Sequence, residues 1–389
     1  MKLKNLFINL ILTLSSIYIP LVLFSIYDNF SRHSLPHRRL ESARYRKDIS
    51  KKIEAVNAGI SPIYYPTSVF ANAKEPAIYP IGTLPLRDTY YCNEGYGLVT
   101  FKSDRFGLRN SDKKWDLLKN KSNIFLIGDS FVHGACVPDN STISSNLERL
   151  TGKNTMNFGM GDSDPYEYMV KQVSLVKPIL EVAKNKNIVV MIFCVNDNKL
   201  YKPKKEKLLK SQESIIQISS NDEIYPTEFY KDNLEKLIKN NYPVSSKGII
   251  INKIKSKLLA NKILTLYPVR EKIKQIYFQN LKSRSNTKIN SLSVSERSIS
   301  LLSQICKENC EPFVGFIPSS NFWNPGKALV EKQYKKELKR MSKSVGITFI
   351  DTEEVISRDS RKDYAPEGGH LSLEGYKKVA DLISRKIIN

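Results

Sequence analysis

From residue 123 onward, short apolar runs and segments of helical period alternate along the chain. Residues 124–128 read IFLIG, 188–195 read IVVMIFCV, 313–318 read FVGFIP and 347–351 read ITFID, and a further short run covers 154–158. Runs this short, bounded by glycine or polar residues, predict buried strands. Between them Ile143, Leu147 and Leu150 share one helical face after Thr142. Helices are expected over 165–177, closed by Pro178, and over 293–309 and 326–343. A last helix begins near Ser372, with Tyr376, Val379, Ala380 and Ile383 recurring at spacings of three and four. Strands alternating with helices predict an α/β domain with a doubly wound parallel sheet of about five strands, covered on both faces. Ligands in such sheets sit beyond the carboxyl ends of the strands.

The pattern differs outside this region. Between Lys4 and Asp28 run 23 residues without a charge, NLFINLILTLSSIYIPLVLFSIY. A bilayer core takes ~20 apolar residues as helix, so the run is expected to be a transmembrane anchor within residues 1–30. It is longer than the apolar core of a secretory signal and lacks a small-residue cleavage site, which predicts that it stays uncleaved. Pro20 would kink the helix without preventing insertion. Residues 31–120 form a basic stalk and then a proline-rich lead-in of short extended pieces, including CNEGYGLVTFKSDRFGLRN. Residues 121–197 and 291–389 make the α/β domain, and 198–290 are a Lys-rich helical insertion. Within that insertion Ile250, Ile251, Ile254, Leu258, Leu259 and Ile263 recur at helical spacing among lysines. Packing of that stripe on the core is the simpler reading, and a cap resting on a membrane surface is the other.

Charge narrows the partners. The chain carries a net +22, and residues 198–290 alone hold 20 Lys/Arg against 8 Asp/Glu. No nucleic-acid-binding motif accompanies this charge, so nucleic acid is not an expected partner; a Lys-rich solvated face is the simpler reading, and a membrane or acidic polymer is the partner it would suit. Orientation is contradictory. Lys2 and Lys4 favour a cytoplasmic N-terminus, whereas Arg32, Arg38, Arg39, Arg44, Arg46 and Lys47 would hold the body there instead. Five cysteines without paired CxxC spacing predict no zinc ribbon. Cys194 reads as a buried thiol, and Cys306 and Cys310 are close enough to pair in an oxidising compartment.

Each expected strand is followed by a polar or glycine-rich loop. These are Gly128-Asp129-Ser130-Phe131, Gly159-Met160-Gly161-Asp162 and Asn196-Asp197-Asn198, and Glu367-Gly368-Gly369-His370 precedes the last helix. A serine becomes a strong nucleophile when an imidazole can take its proton, and backbone N–H groups with an amide can hold an oxyanion. Of the four histidines, His33 and His37 fall in the stalk and His133 shares the serine's own loop. His370 is therefore the candidate base for Ser130. Glu367, three residues upstream, is the candidate to orient it, with Asp363 or a backbone carbonyl as the alternative. Val132 excludes a G-x-S-x-G elbow at Ser130, and neither H-E-x-x-H nor a Walker A pattern occurs.

These blocks resemble those of the SGNH/GDSL hydrolases, in the membrane-anchored bacterial form. The first is similar to Gly128-Asp129-Ser130-Phe131, the second to Asn157-Phe158-Gly159-Met160-Gly161-Asp162 and the third to Val195-Asn196-Asp197. The last is similar to Glu367-Gly368-Gly369-His370-Leu371, and Asp104-Arg105-Phe106-Gly107-Leu108-Arg109-Asn110 resembles a common lead-in. The resemblance covers about 101–197 and 345–389. It implies a flavodoxin-like sheet, Ser130 as nucleophile, His370 as base, and Ser130, Gly161 and Asn196 as oxyanion donors. Phe131 replaces a leucine, Val195 and Asp162 stand at glycine positions, and Glu367 replaces an aspartate.

The expected activity is hydrolysis of a carboxylic ester, an O-acyl group on an envelope polysaccharide or lipid, without metal or cofactor. The expected body is extracytoplasmic. O-acyl transfer by the same residues is the first alternative, and a membrane-anchored binding module with a decayed site is the second.

Overall fold

The computed structural model describes residues 15–24, 26–27, 51–72, 77–198, 215–241, 289–324 and 327–388. The chain divides into two compact units, Arg46–Val244 with Ile289–Asn389, and Met1–Tyr45 with Ser245–Lys288. Of the second unit only 15–24 and 26–27 are described, and both pieces are helical. Among the described residues no helix is long and apolar enough to cross a membrane. Residues 5–14 and 25 of the expected anchor, and the whole Ile250–Ile263 stripe, lie outside the described residues.

The larger unit begins with the lead-in. Strand β1 (Ser61–Pro62) is followed by helix α1 (Pro66–Asn72), β2 (Asp88–Tyr90) and β3 (Thr100–Lys102). β1 pairs parallel and β3 antiparallel with β2. Then come β4 (Asn123–Gly128), α2 (Ser130–His133), α3 (Ile143–Thr151) and β5 (Asn154–Gly159). α4 (Pro165–Lys171) runs through a π-turn at 172–176 into α5 (Lys177–Val182), which leads to β6 (Asn187–Phe193). Pro178 therefore does not close the helix. It sits in the first turn of α5, where a missing N–H and a fixed φ are tolerated, and the wider π-turn absorbs the change.

The described part of the insertion is not purely helical. It holds a hairpin, β7 (Ile216–Ile218) with β8 (Ile224–Pro226), before helix α6 (Glu228–Asn241). This piece packs on the lead-in, where the Tyr230 hydroxyl accepts the Ile81 N–H at 3.0 Å and Arg105 donates to the Ile224 carbonyl at 3.2 Å. These strands leave little sign in the sequence because β7 buries none of its residues fully and β8 buries only Ile224 and Pro226, so alternation is weak. The chain returns through α7 (Ile289–Cys306), β9 (Glu311–Phe316), α8 (Ala328–Ser344), β10 (Thr348–Asp351) and α9 (Leu373–Ile388).

The five-stranded sheet has the order β10-β9-β6-β4-β5, and every pairing is parallel. Alternate side chains go to opposite faces. Phe125, Ile127, Val189, Met191 and Val314 join one core, and Ile124, Leu126, Ile188, Val190 and Phe313 join the other. Both faces are apolar because helices cover both, as expected for a doubly wound sheet. α9 fills the second core with Tyr376, Val379, Ala380, Ile383 and Ile387. Chain order reverses at β4, which has β5 on one side and β6 on the other. The loops after β4 and β6 therefore flank the switch point, where a ligand crevice is expected.

The lead-in braces this edge through the 104–110 motif. Buried Asp104 accepts the N–H groups of Phe106 and Leu108, the Asn110 amide and the Trp115 indole, each at 2.9 Å. Burial still pushes its carboxyl up to about 6, against those hydrogen bonds. Gly107 (φ 79°) is needed in the turn, since a Cβ there would lie 2.0 Å from the Thr83 carbonyl. Asn110 exchanges two hydrogen bonds with the Asn157 backbone of β5, at 2.7 and 3.0 Å. Arg109 reaches the carbonyls of Gly134 and Val137 at 2.7 and 2.8 Å. The loop that leaves α2 is thus tied to the lead-in.

Candidate active site

The nucleophile candidate is set by a strand end and a cap. β4 stops at Gly128, and Asp129 caps the short helix that starts at Ser130, its Oδ1 accepting the Phe131 N–H at 2.9 Å. As the first helical residue, Ser130 has an N–H that no intrahelical carbonyl takes. The Ser130 hydroxyl lies 2.8 Å from His370 Nε2, across 240 residues of sequence. Phe131 presents its ring edge-on to the imidazole, with centroids 5.1 Å apart.

The acid on the other ring nitrogen is Glu94, not Glu367. Glu94 Oε1 lies 2.9 Å from His370 Nδ1, and Oε2 accepts the His370 backbone N–H at 3.0 Å. A carboxylate there accepts an Nδ1 proton and leaves Nε2 free to accept from the serine. Glu367 contributes its backbone, donating its N–H to the Glu94 carbonyl at 3.0 Å. Asp363 is also elsewhere, paired with Lys378 at 2.7 Å and accepting the Ser357 N–H at 2.9 Å. Gly368 explains how the loops meet. A Cβ on it would lie 1.8 Å from Glu94 Cδ, so only glycine lets the carboxylate lie against this loop.

Glu94 belongs to the turn after β2. Asn93 Oδ1 accepts the N–H groups of Gly95 and Gly97 at 2.9 and 3.0 Å, which fixes the turn around the acid. The flanking Cys92 is disulfide-bonded to Cys136, and Cys306 is bonded to Cys310. Sequence reading missed both Glu94 and the first bridge. The available signal was a carboxylate inside Cys92-Asn93-Glu94-Gly95, a turn-forming context in the lead-in. Glu94, Cys136 and His370 place one potential ligand atom each within 4.8 Å, but the bridged sulfur offers no thiolate to a metal.

The oxyanion candidates occupy the neighbouring loops. Asn196 lies in the short turn Val195–Asn198 after β6, and Gly161 follows β5. Met160 is tied to the nucleophile strand by an N–H bond to the Gly128 carbonyl at 3.2 Å. Tyr65 and Tyr91 press on Gly161, where a Cβ would lie 2.5 Å from Tyr65 Cε1. Asp162 adopts a left-handed φ of 61° and is exposed.

A buried polar set lies behind Ser130. Asp129 Oδ2 accepts from Cys194 Sγ at 2.9 Å and lies 3.3 Å from the serine hydroxyl. Asp197 accepts the Cys194 N–H at 2.7 Å and the Tyr168 hydroxyl at 2.9 Å. Burial, then Asp129 and Asp197, push the Cys194 thiol well up, so it stays protonated and donates. Burial and then Asp129 likewise push Asp197 well up. His133 is buried against Tyr91 and Phe101, at 4.6 and 5.5 Å between centroids. Burial, then Arg109 and Lys171, push its imidazole well down, which keeps it neutral. It is a packing residue.

No family model matches the chain, and no curated protein matches it. Solved structures do. Est24, a carbohydrate acetylesterase from Sinorhizobium meliloti, is 10% identical with a TM-score of 0.37, covering 69% of this chain and 99% of its own. An aryl esterase from M. smegmatis is 9% identical with a TM-score of 0.37, over 69% and 98% of the two chains. A lipase/acylhydrolase from Enterococcus faecalis is 15% identical with a TM-score of 0.32, over 68% and 95%.

The site geometry sets an order among substitutions. Glu94→Gln is expected to slow modification of Ser130 by a fluorophosphonate about a hundredfold or more, as loss of an orienting carboxylate does. Gly368→Ala is expected to approach that loss by displacing Glu94. Glu367→Gln is expected to stay within about twofold of the parent, because the variant keeps the backbone N–H that meets the Glu94 carbonyl and leaves the Glu94 carboxylate on His370. Rates of probe incorporation measure all three, and a Glu367→Gln loss equal to that of Glu94→Gln would reverse the assignment.

Proposed function

We propose that this chain is a serine hydrolase that cleaves carboxylic esters through an acyl-enzyme on Ser130. The observation that carries this reading is the unbroken line from the Ser130 hydroxyl through the His370 imidazole to the Glu94 carboxylate, at 2.8 and 2.9 Å. His370 Nε2 takes the hydroxyl proton as Oγ attacks the ester carbonyl. Glu94 keeps the other ring proton on Nδ1 and stabilises the imidazolium that forms. The Ser130 and Gly161 N–H groups and the Asn196 amide donate to the oxyanion, each worth roughly 3–4 kcal/mol in the transition state. The imidazolium then protonates the leaving alkoxide. Water enters, yields a proton to His370 and attacks the acyl carbon, which frees the acid and restores Ser130.

The substrate class follows from resemblance and setting: an O-acyl group on an envelope polysaccharide or lipid. The body is anchored through residues 5–27 and lies outside the cytoplasm. Two disulfides support that compartment, since such bridges form and persist under oxidising conditions. The basic residues after the span favour the opposite orientation.

Two measurements test this. Full-length protein in detergent is expected to take up a fluorophosphonate and to hydrolyse simple acetyl esters, and Ser130→Ala to do neither. Equal labelling of both proteins removes Ser130 as nucleophile, and labelling with turnover only when a sugar hydroxyl is supplied favours acyl transfer. For orientation, protease added to intact spheroplasts is expected to degrade the body. A body that survives lies in the cytoplasm.

A further inference from the structure

We propose that the Cys92–Cys136 disulfide is a positioning element of the site, holding Glu94 on His370, so that opening it uncouples the acid from the base. The bridge joins two segments 44 residues apart with Cα atoms at 4.9 Å. One end, Cys92, is two residues before Glu94. The other, Cys136, lies in the loop that leaves the Ser130 helix, in a left-handed conformation with φ 61°. Cys136 packs with Tyr91, Phe101 and Ala135 in a small buried cluster of its own. Its sulfur, a Glu94 carboxylate oxygen and a His370 ring nitrogen all lie within 4.8 Å of one another. The bridge therefore lies against the acid–base contact.

The surrounding backbone explains why the bridge matters there. Backbone pairing of the hairpin runs out at Cys92, after Tyr91 N–H bonds the Val99 carbonyl at 2.8 Å. Val99 N–H returns to the Cys92 carbonyl at 3.0 Å, and beyond it the turn projects toward the C-terminal loop. Glu94 meets that loop through the Glu367 N–H and the His370 N–H, both at 3.0 Å. The bridge adds a covalent tie from the same turn to the nucleophile's own loop. Arg109 holds that loop through its Gly134 and Val137 carbonyls, on either side of Cys136. Serine, histidine and acid come from three separate stretches of chain, and the bridge links the first to the third. Cys306 and Cys310 lie at the end of α7 and just before β9, at the amino-terminal ends of the parallel strands, whereas the site lies beyond their carboxyl ends.

A dithiol opens the bridge by ordinary exchange. One thiolate attacks a bridge sulfur, the S–S bond breaks with release of the other cysteine thiolate, and the second thiol of the reagent displaces the mixed disulfide. The products are two protein thiols and an oxidised, cyclised reagent.

The role rests on the ester-hydrolase reading only for its rate readout, so two independent readouts are combined. The full chain is compared with Cys92→Ser/Cys136→Ser, each alone and with Glu94→Gln. A Cys306→Ser/Cys310→Ser chain treated with dithiothreitol supplies the open bridge without new side chains, should the double variant fail to fold. Opening the bridge is expected to speed hydrogen exchange at the Glu367 and His370 amides, both bonded to Glu94, while the Tyr376 amide in α9 is unchanged. Fluorophosphonate labelling is expected to fall tenfold or more in the parent and less than twofold in Glu94→Gln, because the bridge acts through that carboxylate. Unchanged exchange at Glu367 and His370 overturns the proposal whatever the labelling. So does a rate loss of equal size in the Glu94→Gln background. Absence of labelling in every form sinks the hydrolase reading instead, and the exchange data still decide the positioning role.

Discussion

The structure depends on one contact, the bond between Glu94 and His370, made by residues 276 apart in sequence. An imidazole can serve as a base toward Ser130 only if its other nitrogen keeps a proton in a fixed direction. That requirement couples the lead-in to the last loop of the α/β body. The 104–110 motif then has a physical purpose. Asp104 closes the turn, Asn110 splints it to β5, and Arg109 fastens the loop that follows α2. Gly368 supplies the missing volume that lets the carboxylate approach.

Behind the serine, the polar groups form a buried set in which each donor has an acceptor. Asp129 caps α2 while accepting from Cys194, and Asp197 accepts from Cys194 and Tyr168. Removing one partner from such a set leaves a desolvated group, at a cost of about 1–3 kcal/mol. This holds the Ser130 end of the line as firmly as the lead-in holds the Glu94 end. The hydroxyl and the imidazole are then aligned before any ligand arrives, and pre-set alignment lowers the barrier to proton transfer.

The α/β body was legible in the sequence because its strands are short, mostly apolar and spaced by helical segments. Ser130, Gly161, Asn196 and His370 could be proposed because each lies just after a strand or just before a helix, where local pattern reports position. Glu94 could not be found that way. Its role comes from a tertiary contact: Glu94 takes the Nδ1 side of the imidazole, and Glu367, the acid closest in sequence, meets Glu94 through its N–H. Proximity along the chain was the wrong guide, since Gly368 and Gly369 let the loop pass Glu94 rather than fold Glu367 back. The Cys92–Cys136 pair was hidden for the same reason, whereas Cys306 and Cys310, four residues apart, were visible as a pair. Pro178 misled because the π-turn before it shifts the proline into a new first turn.

The most direct test of the Glu94–His370 contact is proton NMR of the imidazole in the full-length, detergent-solubilised chain. A hydrogen bond from Nδ1 to a carboxylate gives a strongly downfield, slowly exchanging proton. The signal should be present in the parent and in Glu367→Gln, and absent in Glu94→Ala and His370→Ala. A signal that survives Glu94→Ala, or that vanishes in Glu367→Gln alone, would contradict the account.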